Sequence, residues 1–111
     1  MKKNNIQKIS KRHPSFRLNK ARKILQAHLL ELRGHYGVHA LWIFGSYVRG
    51  EQYKKSDLDL LVEFERSPSL FEFVRLERHL GELLKIKVDL VMKSALKPAI
   101  GRHILEEAQS I

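Results

Sequence analysis

The chain is predicted to form a single α/β domain of the α+β kind, a small mixed β-sheet with helices packed mainly on one face. Three observations lead there. Its 111 residues suffice for one hydrophobic core and no more. Stretches with apolar residues every three or four positions alternate with short apolar or period-two runs, in the order α-β-α-β-α-β-α. The second and third of those runs are long enough to pair as antiparallel strands, which makes a mixed sheet.

The elements follow in order. Residues 1–14 are basic and poor in apolar residues, and end at Pro14, so they read as a flexible extension before a domain spanning 15–111. Leu18, Ala21, Ile24, Leu25, Leu29 and Leu32 give one apolar face to a helix from about Ser15, its expected N-cap, to Tyr36. Gly37 suits the left-handed residue that closes it. Residues 38–44 form a near-continuous apolar strand with Trp42 expected in the core. A short helix should start at Ser46 and run to about Gln52, followed by a loop through Tyr53, Lys54 and Lys55 and a strand from Ser56 to Phe64. Ser69 caps a helix over 70–85 that is expected to bury Leu70, Phe73, Val74, Leu80 and Leu84. A third strand covers 86–92. The last helix opens at Ser94 or at Lys97-Pro98, with an apolar stripe of Ala99, Ile100, Ile104, Leu105 and Ala108 that Ile111 extends.

The chemistry is concentrated between Gly45 and Phe64. Asp57 and Asp59 sit two apart, so on a strand both carboxylates face one way while Leu58, Leu60 and Val62 face the other. Two acids on one face repel each other unless a cation lies between them. Oxygen-only ligands without Cys or His suit Mg²⁺ or Mn²⁺, and Mg²⁺ commonly arrives with substrate phosphates. Just upstream, Gly45 lets the backbone approach an anion closely, Ser46 adds a hydroxyl donor, and the short helix behind them aims its positive end at the same place. Arg49 either contacts a phosphate or forms an ion pair with Asp57 or Asp59. Asp89, flanked by Val88 and Leu90, needs a partner. Stacked beside Asp57 and Asp59 it completes a three-carboxylate site; a salt bridge to Arg49 or Lys87 is the alternative. His35 and His39, four apart, straddle the Gly37 turn and read as surface residues rather than metal ligands.

Gly45-Ser46, ten intervening residues and then Asp57-Leu58-Asp59 resemble the signature of the DNA polymerase β-like nucleotidyltransferase superfamily. Arg49-Gly50, Ser56 and Val88-Asp89-Leu90-Val91, together with the short chain, make it similar to the minimal nucleotidyltransferases (the MNT family) from about Leu18 to Ile111. The resemblance implies the polymerase β-like fold and in-line transfer of AMP from ATP to a hydroxyl. Asp57, Asp59 and Asp89 are then the catalytic and metal-binding residues, holding two Mg²⁺ ions or Mn²⁺ in their place. Gly45, Ser46, Arg49 and Ser56 bind the nucleotide. Many MNT proteins are encoded beside a HEPN-domain ribonuclease toxin and act as its antitoxin, so the implied acceptor is a tyrosine of that partner. Nothing in the sequence looks like a base-reading pocket or a second substrate domain, so the acceptor is expected to be brought by a partner.

Composition narrows the rest. The absence of Cys excludes disulfides and thiolate zinc sites and fits a reducing cytoplasm. No apolar run follows the basic N-terminus as in a secretory signal, and none approaches a membrane span, so a cytoplasmic protein without membrane association is expected. The net charge of +9 is uneven: the first thirty residues hold no acid and many Lys and Arg. That run reads either as a clamp for nucleic acid or an acidic surface, or as a solvated face. No aromatic residues interleave with it to stack on bases. Two other functions therefore remain open, a non-catalytic antitoxin that binds its toxin and nucleotidyl transfer to an RNA 3′ end. Leftover apolar helix surface leaves a homo-oligomer open as well.

Overall fold

The computed structural model describes residues 14–51 and 57–111. The basic extension up to residue 13, the Tyr53–Lys55 loop and Ser56 lie outside them. Helix α1 spans Pro14–Tyr36, so Ser15 lies inside its first turn instead of capping it. Strand β1 (Val38–Phe44), helix α2 (Ser46–Arg49), strand β2 (Leu58–Phe64), helix α3 (Leu70–Leu84), strand β3 (Val88–Met92), helix α4 (Pro98–Glu107) and strand β4 (Gln109–Ser110) follow. The sheet order is β3-β2-β1-β4.

The mixed sheet is present, with its mixture distributed differently from the expectation. β1 pairs antiparallel with β2, while β2 and β3 run parallel. The reason is the connection: α3 carries the chain from the end of β2 back to the start of β3, and only such a crossover lets consecutive strands run the same way. β4 adds an antiparallel partner to β1 opposite Trp42 and Ile43. The final helix therefore stops at Glu107, and Ile111 continues the pairing by donating its N–H to the Leu41 carbonyl at 2.9 Å.

The core lies between the sheet and α1 and α3. Ala21, Leu25 and Leu32 meet Val38, Leu41 and Ile43, then Leu58, Leu60 and Val62, then Leu76, Leu80 and Leu84, with Val88 and Leu90 at the edge. Gly37, at φ 68°, ends α1 as expected, its N–H donating to the Arg33 carbonyl. Ser69 and Glu72 form a reciprocal capping box at the start of α3. The buried stripe of α3 is the expected one in part: Leu80 and Leu84 are buried and Phe73 packs against the core. Leu70 and Val74 are exposed, and Leu76 is fully buried. Leu76, Leu80 and Leu84 repeat at four, whereas Leu70 and Val74 fall on the neighbouring flank. Ile100 and Leu105 of α4 are likewise exposed.

The opposite sheet face carries Trp42, Asp59, Leu61 and Asp89. Trp42 is therefore not part of the core between the layers. It is half-buried, paired with Leu61, and the Lys93 ammonium stands 5.1 Å from its ring centroid. On the face of β1 away from α1 and α3, Ala40 and Trp42 are only half-buried and Phe44, at the strand's end, is buried, so the apolar run is covered on both sides only there.

Candidate active site

Three adjacent strands deliver their chemistry to one end of the sheet. β1 runs into Gly45, β2 begins just after Asp57, and β3 begins one residue before Asp89. The antiparallel register sets Phe44 opposite Asp59, and the parallel register sets Asp59 opposite Asp89. The chain therefore turns at Gly45 directly beside the Asp59 carboxylate. Gly45 has φ 81°, a region strained for any residue with a side chain, and a Cβ there would lie 2.1 Å from Asp59 Oδ2. Only glycine fits on both counts.

After the turn, the Val48 and Arg49 N–H groups donate to the Gly45 carbonyl at 3.0 and 3.2 Å, forming the single turn of α2. Gly50, left-handed at φ 72°, stops it. This helix is shorter than the expected Ser46–Gln52. Ser46 opens α2 and is partly exposed.

The carboxylates repel as their spacing implied. Asp59 is pushed up to about 6, first by burial, then by the charges of Asp89 and Asp57, with Glu107 adding to the effect and Arg49 opposing it. Asp57 lies immediately before β2, half-buried, with the Lys87 ammonium 3.9 Å away. Asp89 is exposed and forms no ion pair among the described residues. The Lys87 salt bridge weighed for Asp89 therefore goes to Asp57 instead.

Arg49 does not pair with Asp57 or Asp59. Its Nε donates to Glu51 at 2.7 Å and its Nη1 to both carboxylate oxygens of Glu107 at 3.0 Å. These bonds, Glu51 first and Glu107 second, hold the guanidinium pKa above its ordinary value. Glu107 is also the acceptor for the Gly45 N–H, at 2.7 Å. It belongs to a face of α4, with Ile100, His103 and Ile104, that encloses a cavity of about 340 Å³ with Phe44, Gly45, Arg49 and Asp59. Neither Glu107 nor His103 was marked by the sequence. Sixty-two positions separate Glu107 from Gly45, and no local pattern announces such a contact. A larger cleft of about 510 Å³ on another side of α4 contains none of the three aspartates.

The donor set fits a hard divalent cation: oxygen ligands only, mutually repelling and partly desolvated. Among the described residues no three Asp, Glu, His or Cys side chains are drawn together into a ready metal shell. Ser56 lies outside the described residues.

Comparison with known proteins shows the family. The nucleotidyltransferase domain family model matches residues 18–111. The protein adenylyltransferase MntA of Thermococcus cleftensis is 51% identical over 90 residues, which cover 81% of this chain and 91% of that protein. A solved structure described as a minimal nucleotidyltransferase superposes with a TM-score of 0.69 at 32% identity, covering 89% of this chain and 96% of its own. The same fold occurs in a complex of the tri-AMPylated Shewanella oneidensis HEPN toxin with MNT antitoxin. There the TM-score is 0.55 and the identity 18%, over 87% of this chain and 70% of that one. With its Gly45 turn set against Asp59 and Asp89 on neighbouring strands, the chain belongs to the nucleotidyltransferase domain family, among the minimal nucleotidyltransferases.

Proposed function

We propose that this protein is a metal-dependent protein adenylyltransferase that moves AMP from ATP to a tyrosine hydroxyl of a HEPN-domain ribonuclease toxin and so acts as its antitoxin. One observation carries the reading: the turn at Gly45, which we take as the phosphate cradle, packs against Asp59, whose carboxyl feels the charges of Asp89 and Asp57. Phosphate donors and metal-seeking oxygens thus meet at a single point. The 51% identity to a protein adenylyltransferase points the same way.

In this reading Asp57 and Asp59 would hold one cation, and Asp89 would help to hold a second. Bound Mg²⁺, or Mn²⁺, supplies charge neutralisation for the triphosphate and lowers the pKa of the acceptor hydroxyl. The Gly45 N–H and the Ser46 hydroxyl receive the β- and γ-phosphates and Arg49 contacts a phosphate, while Ser56 is assigned to nucleotide binding by the family resemblance alone. Asp89 takes the hydroxyl proton. The acceptor oxygen then bonds to the α-phosphorus as the bond to the β-phosphate breaks and pyrophosphate leaves. Positioning and charge neutralisation do most of the work in such transfers. Asp89 is open to solvent, as a group that must meet another protein's hydroxyl has to be. Among the described residues no helix is long and apolar enough to cross a membrane, and we place the reaction in the cytoplasm.

A second reading, transfer to an RNA 3′ end, draws on Arg17, Lys20 and Lys85. They line a cavity of about 330 Å³ that also includes Tyr47 of α2. Salt-dependent RNA retention that vanishes when residues 1–13 are removed would favour it.

The decisive experiment incubates the protein with labelled ATP, GTP, CTP or UTP and Mg²⁺, with and without the protein encoded next to it. Label from ATP on a tyrosine of the partner, absent with the Asp57→Ala/Asp59→Ala protein, is the expected result. If no label moves and the double variant still suppresses toxicity, the protein is a binding antitoxin and the catalytic account fails.

A further inference from the structure

The Gly45 turn is already filled in the free protein. Its N–H, the donor assigned to a phosphate, donates at 2.7 Å to Glu107. Arg49, the nearby cation, spans both oxygens of the same carboxylate at 3.0 Å. A carboxylate and a phosphate present the same kind of acceptor to an N–H group and a guanidinium. The placement is otherwise unfavourable, because Glu107 joins three aspartates that already repel one another and adds to the rise in the pKa of Asp59.

We infer that Glu107 stands in for a terminal phosphate in the free protein, so that the polyphosphate of the nucleotide binds by displacing its carboxylate from Gly45 and Arg49. This rests on the nucleotide-site reading above and adds a gate to it. Two features make displacement feasible. The Glu107 side chain keeps a quarter of its surface exposed, and so has solvent to turn into. It also sits in the last turn of α4, beside the extended Ala108 that leads into β4, so the side chain can rotate while the helix stays anchored. Arg49 would then exchange Glu107 for the phosphates while its Nε keeps Glu51. Such a gate favours polyphosphates, whose several charges compete with a carboxylate, over anions carrying one. Occupancy by Glu107 lowers apparent affinity by the fraction of molecules in the closed state.

The alternative is a plain latch that fastens α4 to the sheet and orients Arg49. A latch and a gate respond oppositely when the carboxylate is removed. Glu107→Gln and Glu107→Ala should bind ATP and inorganic tripolyphosphate about three- to tenfold more tightly by calorimetry, without added metal. The Gly45 amide resonance should shift on adding tripolyphosphate to the wild type, and should already be displaced in unliganded Glu107→Ala. Thermal melts establish that each variant is folded at the assay temperature, and the conservative Gln carries the test if Ala melts. Unchanged or weaker binding in the folded variants overturns the gate, even where the wild type binds ATP and labels its partner. Failure of the wild type to bind ATP even with Mg²⁺ present overturns the nucleotide-site reading itself, and the gate with it.

Discussion

Asp59 concentrates the electrostatic cost of the site, and its cost depends on pH. Burial first, then Asp89 and Asp57, push its carboxyl to about 6, above the ordinary aspartate value of about 4. The folded state therefore keeps this proton to higher pH than the unfolded chain does. In metal-free protein its contribution to stability is fullest below about pH 4, declines as the pH rises through about 6 and is level above that. The shift would correspond to about 3 kcal/mol without screening; for a partly exposed carboxylate we expect about 1 kcal/mol. Melts in EDTA should show the wild type losing stability from pH 4.5 to 7.5 relative to Asp59→Asn, which should be the more stable protein at pH 7.5 yet inactive. Parallel pH curves would contradict this origin of the shift. At Gly45 the cost is steric: Gly45→Ala meets both the φ of 81° and Asp59 Oδ2. It should lose about 2 kcal/mol or more of stability and, if it stays folded, tripolyphosphate binding. A normal melting temperature would show that the turn relaxes. Residue types and spacing were enough to single out Gly45, Asp57, Asp59 and Asp89, which the strand register brings to one end of the sheet. The ion partner of Arg49 and the position of Trp42 depend on which sheet face a distant helix covers, and no local pattern records that.

Among the elements, α3 separates what periodicity reveals from what it leaves open. Its start was readable, since Ser69 with Glu72 three residues later is a capping box in sequence and in structure. Its inner face was readable only in part: Phe73, Leu80 and Leu84 pack inward as expected, but Leu70 and Val74 belong to an overlapping stripe, and only docking against α1 and the sheet selects Leu76 over them. Leu76 is fully buried while Leu70 is 76% exposed. Leu76→Ala should therefore cost about 2–5 kcal/mol and Leu70→Ala no more than about 0.5 kcal/mol in urea unfolding. Equal losses would mean that α3 is rotated about its axis. Removing the cap by Ser69→Ala should cost about 1 kcal/mol. The parallel pairing of β2 with β3 was available in principle from the helix between them. Strand length alone misdirected the expectation toward an antiparallel pair. β4 is too short for a pattern: two residues pair with β1 only because α4 returns the chain to that edge.

At the scale of the whole molecule, the site draws on the end of β1, the starts of β2 and β3 and one face of α4. Ligand binding there bears on the same core that holds the fold together. It should therefore register as global stability rather than as local ordering. A ligand at a hundred times its dissociation constant adds about 2.7 kcal/mol to the folded state, on the order of 10 °C in melting temperature for a domain of this size. The sign depends on the carboxylates. ATP alone brings more negative charge toward Asp57, Asp59 and Asp89, so by itself it should shift the melt little. Mg²⁺ alone relieves only their mutual repulsion. The two together neutralise each other's cost at one place, and the shift with both should exceed the sum of the separate shifts. Asp57→Ala/Asp59→Ala should abolish that excess while leaving the melt of the free protein equal or higher, since repulsion has been removed. A stabilisation by ATP that is indifferent to Mg²⁺, and undiminished in the double variant, would locate nucleotide binding elsewhere, in a basic region such as the cavity lined by Arg17, Lys20 and Lys85. That outcome would separate the net charge of +9 from the aspartate cluster as the source of affinity.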